Sequence, residues 1–402
     1  MIFVQEEINE EFFARIQAGG EEEVFLGDFC KVLVRGKHLP TVITFSSVNT
    51  APGKFKPYKA IAKSESNMVF VNDCGNNWYL NGIEGFDDNF IEAAKKIVEV
   101  ARHVGNGYVM TFGTSMGAYG AILYAAVGGA DKCIAFGPEV ILDLPGSRSA
   151  QHKNKQAKLS FSDLSYYIEN SDCAYDVIAS ESDEVDLINA MSLMSLNNVN
   201  VSTVRGTEHP GVQAFDHEFG IGHVVDASIT GAGLTAPGGR SGAVLESPEL
   251  VKDLWISLNL KREKNYQACL DYLISLAYKH GESSLYVLRL GEAYYRNGML
   301  EKAFECLNVS VELDDFQYEA HNLLGVVLRK LKRYEEAEHH LKKAISITPM
   351  NPFPYHNLSL TYMEVGLLDL ALVSCEKALS LNKGNAGFIK TVNEIRGIKL
   401  RK

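Results

Sequence analysis

The chain has 402 residues, too many for one small core, and 46% of them are apolar, so it can bury more than one interior. A net charge of −11, from 50 acidic and 39 basic residues, opposes the phosphate neutralisation on which non-specific nucleic-acid binding rests. Seven dispersed cysteines without a C-x-x-C pair fit reduced thiols better than a disulfide framework, and no apolar run approaches the ~20 residues of a membrane span.

In chain order, the N-terminus MIFVQEEINEEFF is acidic and lacks the basic start and apolar stretch of a signal peptide, so a soluble, cytoplasmic protein is expected. From about residue 21 to 205, eight short runs rich in Val, Ile, Phe and Thr follow: EEVFLGDFC, KVLVRGK, PTVITFSS, NMVFVND, YVMTFGTS, KCIAFGP, YDVIAS and NVSTVRG. Such runs suit strands buried on both faces of a sheet. Between the fourth and fifth, Phe90, Ala94, Ile97, Val98 and Ala101 recur at helical spacing, and between the fifth and sixth GAYGAILYAAVGG reads as a buried small-residue helix. This alternation predicts an α/β class with a doubly wound, mostly parallel eight-stranded sheet. Residues 226–248, with five glycines and two prolines and no periodic pattern, are expected to be a linker closing a first domain of 1–225.

From 249 to 402 the pattern is helical with a period of 34. Leu290-Gly291, Leu324-Gly325 and Leu358-Ser359 keep that interval, as do Ala303, Ala337 and Ala371, and Leu300, Tyr334 and Leu368. Small residues at fixed sites let paired helices approach closely. The stretch resembles the tetratricopeptide repeat, in four copies (249–282, 283–316, 317–350 and 351–384) plus a capping helix, an all-α solenoid. That resemblance implies a protein or peptide partner, or self-association into a homo-oligomer.

The chemistry centres on TFGTSMGAYG. Ser115 stands in Gly113-x-Ser115-x-Gly117, after a strand and before a helix, the setting of a nucleophile on a tight turn. ESDEVD follows the seventh run and places Asp183 just beyond a strand end, with Asp186 and Asp176 as alternatives. TEHPGV follows the eighth and places His209 likewise, with His217 and His223 as competitors. With these three positions in this order, the first 225 or so residues resemble the α/β-hydrolase superfamily. The resemblance implies a Ser115–His209–Asp183 triad and an oxyanion hole made by the Met116 amide and a donor from TFSSVN, for which Ser46 is the choice.

The spacing H-x₇-H-E-x₄-H over His209, His217, Glu218 and His223 matches no zinc pattern, and neither a phosphate-binding loop nor a dinucleotide fingerprint is present, so no metal and no cofactor are expected. The stretch between the sixth and seventh runs is short and polar, which favours a polar acyl substrate over bulk lipid. Asn72, Asp73, Trp78 and Tyr79 follow the fourth run, and Trp78 and Tyr79 are candidate stacking residues for a sugar or peptide ring. Their arrangement ahead of the elbow is similar to hydrolase-like domains of bacterial surface-polysaccharide and glycoprotein-export systems, which implies a small-molecule or carbohydrate acyl substrate. The expected function is a serine esterase or deacylase carrying a protein-interaction module. The alternatives are an inactive hydrolase-fold scaffold or an acyltransferase in surface-polysaccharide biosynthesis.

Overall fold

A computed structural model describes residues 21–400 except 74, 85 and 156–162, together with Glu10, Glu11, Ala14 and Ala18. All eight apolar runs become strands: β1 (Glu22–Phe25), β2 (Cys30–Val34), β3 (Thr41–Phe45), β4 (Asn67–Val71), β5 (Val109–Thr114), β6 (Lys132–Phe136), β7 (Ala174–Ser180) and β8 (Val199–Val204). They form one sheet in the order β1-β2-β4-β3-β5-β6-β7-β8. β2 runs antiparallel to β1 and β4, and every other neighbouring pair is parallel. β2 to β5 are buried along their whole length, whereas β1 alternates because it is an edge.

Between the strands lie α1 (Tyr58–Ile61), α2 (Phe90–Val104), α3 (Met116–Gly128), α4 (Arg148–His152), α5 (Ser165–Glu169) and α6 (Glu184–Leu193), followed by α7 (Val212–Glu218) and α8 (Ile221–Ile229). Alternate side chains of a strand point to opposite faces. Ile43 and Phe45 of β3 therefore join one apolar layer with α2 and α3, while Val42 joins the other layer with α7 and α8. Every residue of α3 from Met116 to Ala125 is buried, which explains a helix with so many small and apolar residues.

The chain divides into two compact units, one ending at Pro248 and the other running from Glu249 onward together with Arg205–Glu208. The stretch 226–248 is thus not a free linker. Leu234 and Ala236 pack against the α7–α8 layer, Leu245 is buried, and the Gly242 amide donates to the Thr203 carbonyl at the outer edge of β8 (2.9 Å). Isolated apolar residues at irregular spacing cover the sheet edge there, and such coverage leaves no periodic trace in the sequence.

The second unit holds α9 (Pro248–Arg262), α10 (Tyr266–Ser275), α11 (Ala277–His280), α12 (Ser284–Arg296), α13 (Leu300–Leu313), α14 (Tyr318–Lys330), α15 (Tyr334–Ile347), α16 (Pro352–Val365), α17 (Leu368–Leu381) and α18 (Ala386–Lys399). The starts of α12, α14 and α16, and of α13, α15 and α17, repeat every 34 residues. Ala303, Ala337 and Ala371 are fully buried, and a Cβ on Gly325 would lie 2.5 Å from Leu341 Cγ, so the small residues mark where paired helices touch. Ser359, where two earlier repeats have glycine, donates its hydroxyl to the Ala371 carbonyl (2.7 Å). No helix among the described residues is long and apolar enough to cross a membrane.

Candidate active site

Ser115 joins β5 to α3 with φ 57° and ψ −122°, a conformation that L-residues rarely adopt. The turn closes only because both flanking glycines lack a Cβ. One on Gly113 would sit 2.0 Å from the Gly117 carbonyl oxygen, and one on Gly117 would sit 2.2 Å from the Phe45 carbonyl oxygen. The Ser115 amide donates to the Phe136 carbonyl at the end of β6 (2.9 Å), and its hydroxyl caps nothing in α3, which leaves Oγ for another partner.

That partner is His209, five residues beyond Val204 at the end of β8. Its Nε2 lies 2.8 Å from Ser115 Oγ, and its Nδ1 lies 2.7 Å from Asp186 Oδ1. Gly137, at the end of β6 with φ +55°, makes room for the ring: a Cβ there would come 2.9 Å from His209 Nδ1 and 2.8 Å from Pro210 Cβ. Sequence reasoning placed Ser115 and His209 at this point, and the structure brings the two side chains together.

The third member differs. Asp183 does not reach His209; it is the N-cap of α6, its Oδ1 accepting from the Val185 and Asp186 amides at 3.0 Å each. Asp186, in the first turn of the same helix, points at the histidine instead. The signal was present in the sequence, because an aspartate opening a helical segment is a capping residue. Asp183 Oδ2 accepts from the Arg148 guanidinium at 2.6 Å, a partner that no motif announced. Burial works against ionisation of Asp183, but Arg148 outweighs it and holds the carboxyl down at about 2. Burial pushes the Asp186 carboxyl up, against the opposing pull of His209. Arg148 is itself delivered by Glu139, a buried carboxylate beyond β6 that accepts from the Arg148 and Ser149 amides at 2.6 and 2.8 Å.

Met116 lies at the start of α3, and among the described residues its amide and that of Gly117 meet no acceptor. The Ser46 amide is already engaged. Just past the end of β3 it donates to the Val71 carbonyl (2.9 Å), and the Ser46 hydroxyl accepts from the Lys56 amide (3.1 Å). The next amide, that of Ser47, has no acceptor among the described residues, and Ser47 follows the segment against which Gly117 packs.

Trp78 and Tyr79 are not available to stack on a ligand, being 1% and 0% exposed. Asp73 draws the chain after β4 into a tight turn by accepting from the Gly75 amide, the Asn77 side chain and the Tyr79 amide (3.2, 3.2 and 2.9 Å). Trp78 and Tyr79 both take positive φ, which turns their rings inward. Tyr79 then meets Phe45 edge-on (centroids 5.1 Å apart) and donates its hydroxyl to the Ser46 carbonyl (2.8 Å). Asn72 is likewise structural, its amide nitrogen donating to the Thr50, Ala51 and Lys54 carbonyls. His217 and His223 are exposed on α7 and α8. Among the described residues, Asp183, Asp186 and His209 are the group whose metal-ligating atoms converge, within 4.8 Å of one another, and the Arg148 guanidinium already serves as their cation.

Tetratricopeptide-repeat family models match residues 318–351 and 354–385, so the C-terminal unit carries tetratricopeptide repeats. No curated protein matches the chain. Among solved structures, MamA from Desulfovibrio magneticus RS-1 is similar at 21% identity, over 37% of this chain and 84% of that one, with a TM-score of 0.34. A thermophilic tetratricopeptide-repeat protein of Thermus thermophilus is similar at 21% identity, over 38% and 84%, with a TM-score of 0.33. The Pseudomonas aeruginosa protein pilF is similar at 19% identity, over 37% and 68%, with a TM-score of 0.35.

Proposed function

We propose that the chain is a serine hydrolase acting on an acyl ester, with Ser115 as nucleophile, His209 as general base and acid, and Asp186 as the residue that orients the histidine. The observation that carries this reading is the hydrogen-bonded line Ser115 Oγ–His209 Nε2 (2.8 Å) and His209 Nδ1–Asp186 Oδ1 (2.7 Å), ending on a serine held at φ 57°. The elbow after the fifth strand, an acid after the seventh and a histidine after the eighth also agree with the α/β-hydrolase resemblance.

In this mechanism Asp186 accepts from Nδ1–H, so the lone pair of neutral His209 lies on Nε2 and faces the serine hydroxyl. As Oγ attacks the acyl carbonyl, the proton passes to Nε2, and Asp186 stabilises the imidazolium. The oxyanion forms at the start of α3, where the Met116 amide is unpaired; the Ser47 amide is the second donor. Collapse transfers the Nε2 proton to the leaving alcohol and leaves Ser115 acylated. Water, deprotonated by the same His209, then releases the acid and restores the serine.

The substrate we propose is a small or polar ester. A carbohydrate ester is the finer form of this reading, and with Trp78 and Tyr79 buried it rests on family resemblance alone. The tetratricopeptide repeats are proposed to bind a protein or peptide partner.

Labelling by a fluorophosphonate probe tests the site directly. Wild type should label and hydrolyse p-nitrophenyl acetate, and Ser115→Ala should do neither. Folded wild type that fails to label would move the reading to a hydrolase-fold scaffold. Acetylated sugars assayed in parallel decide the carbohydrate form.

A further inference from the structure

Two aspartates beside one histidine are more negative charge than that histidine can hold. Asp183, Asp186 and His209 have ligand-type atoms all within 4.8 Å of one another. Carboxylates this close do not both stay ionised without a counter-charge. Asp183 is well supplied, with two backbone amides and an arginine. Asp186 is not: its side chain is fully buried, Oδ1 faces His209, and Oδ2 has no hydrogen-bond partner among the described residues. The nearby cation is Arg148, whose Nη2 sits 2.6 Å from Asp183 Oδ2 while Nη1 sits 3.8 Å from Asp186 Oδ1.

We propose that Arg148 is a positioning residue for the triad: its guanidinium clamps Asp183 by a hydrogen bond and holds Asp186 ionised by charge alone, so that Asp186 can orient His209. The proposal rests on the hydrolase reading for its kinetic consequence, not for its geometry. Arg148 stands in the short connection between β6 and β7, which is anchored through its backbone as well as by the guanidinium, whose Nη1 lies 3.9 Å from Glu139 Oε1. The Arg148 and Ser149 amides donate to Glu139, and Ser147 accepts from the Ala150 amide at 3.1 Å. Burying Glu139 to hold two amides is costly unless the position they fix matters. The charged and titratable groups around Asp186 are therefore Glu139 beyond β6, Arg148 on α4, Asp183 at the head of α6 and His209 beyond β8.

The sign follows from the charge. Removing a cation favours every protonated form of the Asp183–Asp186–His209 set, so the base is lost at a higher pH. Arg148→Gln in the full-length chain should raise the acid limb of kcat/KM for p-nitrophenyl acetate by about one pH unit, the order expected for one nearby charge. Arg148→Lys, which keeps the charge and loses the fork, should return the limb close to wild type. Arg148→Gln also strips Asp183 and the buried Asp186 and Glu139 carboxylates of their counter-charge, so its thermal midpoint should fall and Arg148→Lys should recover part of the loss, and the limb is read well below either midpoint. An unchanged limb in Arg148→Gln, or Arg148→Lys shifted as far as Arg148→Gln, overturns the proposal. A second readout separates this from failure of the hydrolase reading: the downfield His209 Nδ1 proton resonance, identified by its absence in His209→Gln. If wild type neither labels nor turns over, the hydrolase reading falls. The titration midpoint of that resonance still decides the role of Arg148, rising in Arg148→Gln if the proposal holds and staying put if it does not.

Discussion

Asp183 and Asp186 carry the same carboxylate three residues apart, and one turn of backbone gives them different work. Asparagine separates the two roles because it caps a helix about as well as aspartate but cannot hold the charge or accept for an imidazolium in the same way. Asp186→Asn should leave His209 free to adopt the wrong tautomer and cut turnover by about 10³- to 10⁴-fold, the loss typical when a triad acid becomes an amide. Asp183→Asn keeps the caps to Val185 and Asp186 and should cost less than about tenfold. Steady-state turnover of both variants at pH 7.5 checks the assignment, and equal losses would reverse it. Ser115 and His209 were legible because each stands directly after a strand with its own local signature. The carboxylate that meets His209 was legible only as one of several aspartates, since Asp183 and Asp186 share one loop and a capping preference alone separates them. The engagement of the Ser46 amide was not legible either, because a bond to the Val71 carbonyl at the end of β4 takes it up.

At the scale of elements, the sheet was legible strand by strand, since buried parallel strands are continuous apolar runs, and the direction of a side chain at a strand end was not. After β4, Asp73 collects three donors and reverses the local sense of the chain, so two aromatics that read as surface platforms become core. Tyr79→Phe should therefore lower stability by about 1 kcal/mol through loss of the bond to the Ser46 carbonyl, with KM unchanged. A change in KM without a change in denaturation midpoint would return Tyr79 to the substrate site. The end of β6 is the opposite case, where a single added atom would reach the candidate site. Gly137→Ala places a methyl 2.9 Å from His209 Nδ1 at a backbone angle that alanine disfavours. Displacing the ring by even about 1 Å should cost on the order of 10²-fold in kcat. Probe labelling and kcat measured together test it, with wild-type kcat as the refuting result.

Across the whole molecule the repeat unit should respond to acid through one buried pair of histidines. The 34-residue period made their architecture plain in the sequence, but nothing in it paired His321 of α14 with His340 of α15. Their Nδ1 atoms are 3.0 Å apart and their ring centroids 5.3 Å apart, so the nitrogens face each other nearly in line. One must donate and the other accept, and a proton on both facing atoms would set two N–H groups against each other. Burial lowers His321, and burial with the neighbouring His321 and His339 pushes His340 down to about 4. Asp315 and Glu336 pull the other way, and Lys343 adds to the repulsion. A base whose folded value lies below its unfolded value of 6.5 binds fewer protons in the folded state. Its contribution to stability is therefore complete above about 6.5 and declines as pH falls toward 4. In a solenoid each repeat leans on its neighbours, so loosening the α14–α15 pair loosens the flanking ones too. The thermal midpoint of the repeat unit should thus fall between pH 7 and 4.5, by roughly 2–4 °C per kcal/mol lost. Hydrogen exchange should place the earliest acid-induced opening in residues 318–347. In His340→Gln the slope should flatten, since no proton is left to gain at that position. A wild-type midpoint that holds level across this range would mean that the pair accommodates the second proton.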